Sequence, residues 1–229
     1  MNNIKSLFRP FRIRCKTLLM IGFIALLPSC GEPPQTGRAV YLLLDTSGTY
    51  TAELDKARSI INYLLGTLSS GDSLGVALIN SGSFTEKNIV AKVTFDDRPS
   101  VTNNQKRLFK ENVDAALDRI DHGSSNTDIT GGILQASEYL TETGAAAKHI
   151  LIFSDLEEDL QDGHIRDFPI DLTAIHVVAL NVTKLRTDNI DPRDYMNRLG
   201  YWQTRVEKGG GDWRVVNDLE NLESMIHHR

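Results

Sequence analysis

Val40-Tyr41-Leu42-Leu43-Leu44-Asp45-Thr46-Ser47-Gly48-Thr49 joins five largely apolar residues to a carboxylate and three hydroxyls. A short apolar run without alternation is the pattern of a strand buried on both faces of a sheet. The polar residues after it therefore fall at the carboxyl end of a central strand, where open parallel sheets bind their ligands.

The residues downstream repeat the pattern of strand and helix. Leu54, Ala57, Ile61, Leu64 and Leu65 recur on one helical face, with a stop expected at Gly66 or at Ser69-Ser70-Gly71. Ser73 to Ile79 and Ile89 to Phe95 read as strands around a loop at Gly82. Phe109, Val113, Ala116, Leu117 and Ile120 make a second helical stripe. Ile129, Ile133, Ala136 and Leu140 make a third, stopped by Gly144. Ile150 to Phe153 and Ala174 to Leu180 are further strands, and a helix is expected within 192–208. Trp213 to Val216 reads as a last strand, with Leu219, Leu222 and Ile226 on a closing helix. Helices of this length between strands predict an α/β fold of three layers. The sheet is expected to be doubly wound and mostly parallel, with helices on both faces. The less regular section from 81 to 95 is expected to supply one antiparallel edge strand.

The first thirty residues belong to a different regime. Lys5, Arg9, Arg12, Arg14 and Lys16 precede an apolar stretch from Thr17 to Leu27, and no acid occurs before residue 30. A basic stretch, a short apolar stretch and a small residue form the layout of a secretory signal. Eleven apolar residues fall well short of the roughly 20 that span a bilayer. Leu27-Pro28-Ser29-Cys30 resembles the bacterial lipobox, with Pro28 in place of the usual small residue. That resemblance implies removal of 1–29 and lipidation of Cys30, with 30–37 as a polar tether and 38–229 as the folded domain. Gly31 in the next position, rather than Asp, resembles lipoproteins sent on to the outer membrane, which implies an envelope protein facing the periplasm. Cys15 leaves with the signal, so the remaining chain has one cysteine and no intramolecular disulfide. Without the signal, 20 basic residues face 30 acidic ones, and a net charge of -10 excludes bulk electrostatic binding to nucleic acid.

Three polar clusters occupy strand ends. They are Asp45 to Thr49, then Gly123-Ser124-Ser125-Asn126-Thr127-Asp128, then Ser154-Asp155 after Ile150 to Phe153. Carboxylates and hydroxyls without cysteine or an ordered histidine pair suit a hard cation, Mg2+, Mn2+ or Ca2+. Asp45-x-Ser47-x-Thr49 with Thr127-Asp128 and Asp155 resembles the von Willebrand factor A domain and its metal-ion-dependent adhesion site. The likeness runs over about 38–226 and includes Ser70-Gly71-Asp72-Ser73-Leu74-Gly75-Val76 at the turn into the second strand.

The resemblance implies that Ser47, Thr49 and Thr127 offer hydroxyls to the metal. It also implies that Asp45 and Asp155 act mainly through ordered waters, Mg2+ being the expected cation. One open coordination position would then take an Asp or Glu from a partner protein. Two residues depart from the family pattern. Thr49 replaces the commoner serine, and Leu156 stands after Asp155 where glycine is usual, followed by the acids Glu157-Glu158-Asp159. That acidic run is expected to be a solvated loop.

Simpler roles compete residue by residue. Asp45, Ser47 and Thr49 could end a strand and cap the next helix. Thr127 could be an N-cap, with Asp128 drawn to the positive end of the same helix. A metal-dependent phosphohydrolase using Asp45 as nucleophile is the enzymatic alternative. That chemistry needs a second carboxylate where Ser47 stands. No Gly-x-x-x-x-Gly-Lys loop and no His-Glu-x-x-His zinc spacing occurs. An aspartic protease would need a second Asp-Thr-Ser-Gly copy or a dimer; no second copy occurs, and such folds are nearly all-β whereas this chain is rich in helical stripes. Trp202 and Trp213 read as packing residues.

Overall fold

In the computed structural model the described residues are 36–48, 50, 53–120 and 123–217. Their elements are β1 (Arg38–Asp45), α1 (Leu54–Thr67), β2 (Ser73–Ile79), β3 (Ile89–Thr94), α2 (Pro99–Leu117), α3 (Ile129–Glu142), β4 (Ala147–Phe153), β5 (Ile175–Leu180), α4 (Pro192–Lys208) and β6 (Asp212–Val216). The six strands form one sheet in the order β3-β2-β1-β4-β5-β6. Only the β2–β3 pairing is antiparallel, which makes β3 the expected antiparallel edge. The fold is therefore the expected doubly wound α/β sheet.

The alternation of β1 sorts the core into two layers. Val40, Leu42 and Leu44 meet Ile60, Ile61 and Leu64 of α1 and Phe109, Val113 and Leu117 of α2. Ala39, Tyr41 and Leu43 face the other way, onto Ile129, Ile133 and Ala136 of α3 and Trp202 and Val206 of α4. Burying both faces of one strand is what the unbroken apolar run requires. Tyr41 lies opposite Gly75 in the register. A Cβ at Gly75 would collide with the Tyr41 ring, so the glycine makes room for an aromatic residue in the layer below α3.

Helix α2 begins ten residues before the stripe that announced it. Its first half buries only Thr102, whereas Phe109, Val113 and Leu117 carry its second half. An exposed first half leaves no apolar period to read. Pro99, at the first turn, is the one local signal of its start. Strands β1 and β4 begin two and three residues ahead of their apolar runs, at Arg38 and Ala147. The closing helix expected around Leu219 to Ile226 lies outside the described residues, as do the signal, Cys30 and most of the tether. No helix of the described residues is long and apolar enough to cross a membrane.

Chain order places the switch point between β1 and β4, where the winding leaves toward β2 and β3 and later returns. Open α/β sheets bind ligands in the crevice at such a point. Here Leu44 pairs with Phe153, so Asp45 at the end of β1 lies beside Ser154, the residue that follows β4.

Candidate functional site

Asp45 is the innermost residue of the site, with 0% of its surface exposed. The Ser47 amide donates to its Oδ1 at 2.7 Å, and the Ser154 hydroxyl donates to its Oδ2 at 2.6 Å. Burial pushes the carboxyl above the ordinary carboxylate range, and the neighbouring Asp155 charge adds to this. The bonds from Ser154 and Ser47 pull the other way without reversing it. Both donors are neutral. Three other buried aspartates differ: Asp72 pairs with Arg38 at 2.9 Å, Asp128 with Arg166 at 2.8 Å and Asp188 with Arg198 at 2.8 Å. Among the described residues, no cation enters the balance at Asp45. A buried carboxylate without a cation is held at a continuing cost.

The loop before α3 closes over this end of β1. The Ser124 amide donates to the Thr46 carbonyl at 2.7 Å, which aligns Ser124 beside Ser47 as a short parallel bridge. Gly123 approaches the Ser47–Gly48 backbone so closely that any Cβ would collide with it. Thr127 is held by reciprocal bonds with Asp159. Its amide donates to the Asp159 carbonyl at 2.7 Å, and the Asp159 amide returns one at 3.0 Å.

Asp155 follows β4 and is 3% exposed. Its Oδ1 accepts from the Glu157 amide at 3.0 Å, and its backbone carbonyl accepts from Arg198 Nε at 2.8 Å. Leu156 then takes φ 66°, the left-handed backbone that glycine ordinarily supplies. For a residue with a side chain that conformation costs roughly 1–2 kcal/mol. The chain thus keeps a glycine-like turn while placing leucine there, and the leucine side chain is buried with Trp202 in the layer under α4.

Four of the five expected ligands, Asp45, Ser47, Thr127 and Asp155, stand at the carboxyl end of the sheet; Thr49 lies outside the described residues. Two simpler roles are changed by the geometry. The N-cap of α1 is Glu53, so Asp45 and Ser47 do not cap that helix. The N-cap of α3 is Asp128 rather than Thr127: its Oδ1 accepts from the Gly131 amide at 2.8 Å while Arg166 pairs with the same carboxylate. The acidic run is also more than a solvated loop. Glu158 accepts from the Thr130 amide at 2.7 Å, at the start of α3, and lies 3.7 Å from Arg205. Such a carboxylate satisfies an orphan amide and complements the helix dipole.

Among the described residues, no group of three or more His, Cys, Asp or Glu is arranged to hold a metal. A cation at this end of the sheet would depend on the hydroxyls of Ser47 and Thr127, a hard oxygen-only set suited to Mg2+. The uncompensated burial of Asp45 fits the same ion. Sequence reasoning placed Ser154 in the third cluster without giving it a role, and it missed Arg166, Asp188, Arg198 and the indole of Trp202. Arg198, Trp202 and Arg205 are spaced four and three residues apart, so one helical face was legible there.

No family model matches the chain, and no curated protein matches it. Solved structures do. The von Willebrand factor type A protein from Catenulispora acidiphila is 13% identical with a TM-score of 0.50, over 84% of this chain and 41% of that one. An aerotolerance-related membrane protein from Bacteroides fragilis, carrying multiple mutations to serines, is 17% identical with a TM-score of 0.46, over 83% and 96%. Proximal thread matrix protein 1 from the mussel byssus is 12% identical with a TM-score of 0.45, over 84% and 46%. The chain thus spans less than half the length of two of the three. At such identity the Catenulispora likeness is one of fold.

Proposed function

The chain has a von Willebrand factor A-like fold, and on that premise we propose that it is a binding protein that captures a partner protein through one divalent cation. In this reading Ser47, Thr49 and Thr127 offer the hydroxyls, and Asp155 adds a second carboxylate. Asp45 acts through its charge and through its hold on the Ser47 turn, because it is itself enclosed. When bound, Mg2+ (or Mn2+ or Ca2+ in its place) supplies an open coordination position for a partner's Asp or Glu. The observation that carries this reading is Asp45: a fully buried carboxylate, raised in pKa, whose hydrogen bonds among the described residues come from neutral donors.

An enzyme would use the same residue differently. A nucleophile must reach its substrate, and Asp45 has both oxygens engaged and no exposed surface. Ser47 also occupies the position of the missing acid/base carboxylate. The chain belongs, in this reading, to a bacterial envelope, anchored by lipidated Cys30 and facing the periplasm from the outer membrane.

The test is capture of envelope proteins by the full-length chain with Mg2+ and with a chelator. A protein retained only with Mg2+, and lost with Asp45→Ala or Ser47→Ala at unchanged circular dichroism, supports the reading. An identical set retained in both conditions sinks it. Turnover of a phosphate ester that disappears in Asp45→Asn would move the assignment to the hydrolase class.

A further inference from the structure

The turn that carries Asp155 is held from outside the sheet. The Asp155 carbonyl accepts from Arg198 Nε at 2.8 Å, and the Leu156 carbonyl accepts from Trp202 Nε1 at 3.0 Å. These two donors lie one helical turn apart on α4, so one face of one helix reaches two successive carbonyls. Arg198 is itself fixed: its Nη1 and Nη2 bind the two oxygens of Asp188 at 3.2 and 2.8 Å, and the Asp188 side chain is wholly buried. On the inner side, the Leu156 amide donates to Ser154 Oγ at 2.9 Å, the hydroxyl that also serves Asp45. Both backbone polar groups of Leu156 are therefore engaged by side chains.

This arrangement coincides with the left-handed backbone of Leu156. A glycine would adopt that conformation unaided, whereas a leucine keeps it only where its surroundings over-determine it. We infer that Arg198 and Trp202 are positioning residues of the metal site: α4 clamps the Asp155–Leu156 turn and so sets where the Asp155 carboxylate stands. The inference rests on the metal-binding reading above. It assigns to α4 a duty that a single glycine would otherwise discharge, which accounts for a leucine after Asp155. Buried bidentate pairing gives Arg198 the rigidity the duty needs.

Calorimetric titration of the full-length chain with Mn2+ tests it. Arg198→Lys removes the planar fork, and Trp202→Phe removes the indole donor while keeping an aromatic ring. Each is expected to weaken Mn2+ binding roughly tenfold, the usual scale for a residue that orients a ligand. Arg193→Lys, which alters only the exposed Arg193–Asp191 pair at the start of α4, should bind as wild type does. Wild-type affinity in both Arg198→Lys and Trp202→Phe, even with a lowered metal-free melting temperature, overturns the clamp and leaves the metal site standing. If the wild-type chain binds no Mn2+, the metal-binding reading falls and the clamp with it.

Discussion

Ser154 donates its hydroxyl to Asp45 Oδ2 at 2.6 Å, across the point where β1 and β4 end side by side. Ser154 Oγ in turn accepts from the Leu156 amide at 2.9 Å, so one serine joins the buried carboxylate to the left-handed turn. Ser154→Ala leaves a buried oxygen and a buried amide unsatisfied, each worth about 1–3 kcal/mol. The expected loss is about 2–6 kcal/mol in urea unfolding, and it should shrink when Asp45→Asn is also present. Additive losses in that double-mutant cycle would show that the two residues are not coupled.

Asp45→Asn separates the burial of charge from the binding of metal. The folded pKa of Asp45 lies above its ordinary value. Stability from its protonated form is thus complete below the unfolded pKa and is lost as pH rises through the folded one. With chelator present, Asp45→Asn should melt higher than wild type at pH 8, by about 2–4 °C for each kcal/mol regained, and by less at pH 5. Added Mg2+ should raise the wild-type melting temperature and leave that of the variant unchanged. A variant that melts lower than wild type in chelator contradicts the account of Asp45 as an uncompensated charge.

The sequence made β1 and its carboxyl end legible because burial on both faces writes an unbroken apolar run, and the polar cluster after it marks the strand end. The start of α2 was not legible, because Pro99 to Leu108 lie largely on the surface and carry no period. The ligand candidates were legible as a constellation at three strand ends. Their supports were not. Arg166 comes from the long connection after β4, and Arg198 and Trp202 come from α4; both reach the site only through the tertiary fold. Leu156 was visible as a departure from the glycine pattern, but its φ of 66° and the α4 clamp that answers it became apparent only in three dimensions.

Arg166 and Asp128 form a largely buried ion pair at the start of α3, 2.8 Å apart. Burial pushes the Asp128 carboxyl upward, and bonds from Arg166, the Gly131 amide and the Ser83 amide bring it below the ordinary range. Arg166→Met strands a buried charge at the N-cap of α3, at an expected 3–5 kcal/mol. Asp128→Asn in the same chain should recover most of it, because asparagine still caps a helix. Denaturant midpoints of the wild type, Arg166→Met and the double variant decide the matter, and a double variant no more stable than Arg166→Met would rule the pair out as the cause.

His149 gives the chain a separate acid sensitivity. It lies on β4, stacks on His176 at 5.2 Å between ring centres, and its Nε2 has no hydrogen-bond partner among the described residues. Burial, then the charges of His176 and Arg38, lower its pKa from 6.5 to about 4. A base depressed in the folded state contributes stability that is complete above pH 6.5 and is lost as pH falls toward 4. At about 1.4 kcal/mol per pH unit, the loss by pH 4.5 is about 2–3 kcal/mol. His149→Leu keeps the volume and removes the titration. The expected result is a wild-type stability that drops between pH 7.5 and 4.5 by about 2–3 kcal/mol more than that of the variant, measured by urea unfolding in chelator. Parallel curves for the two proteins would place the acid sensitivity elsewhere in the fold.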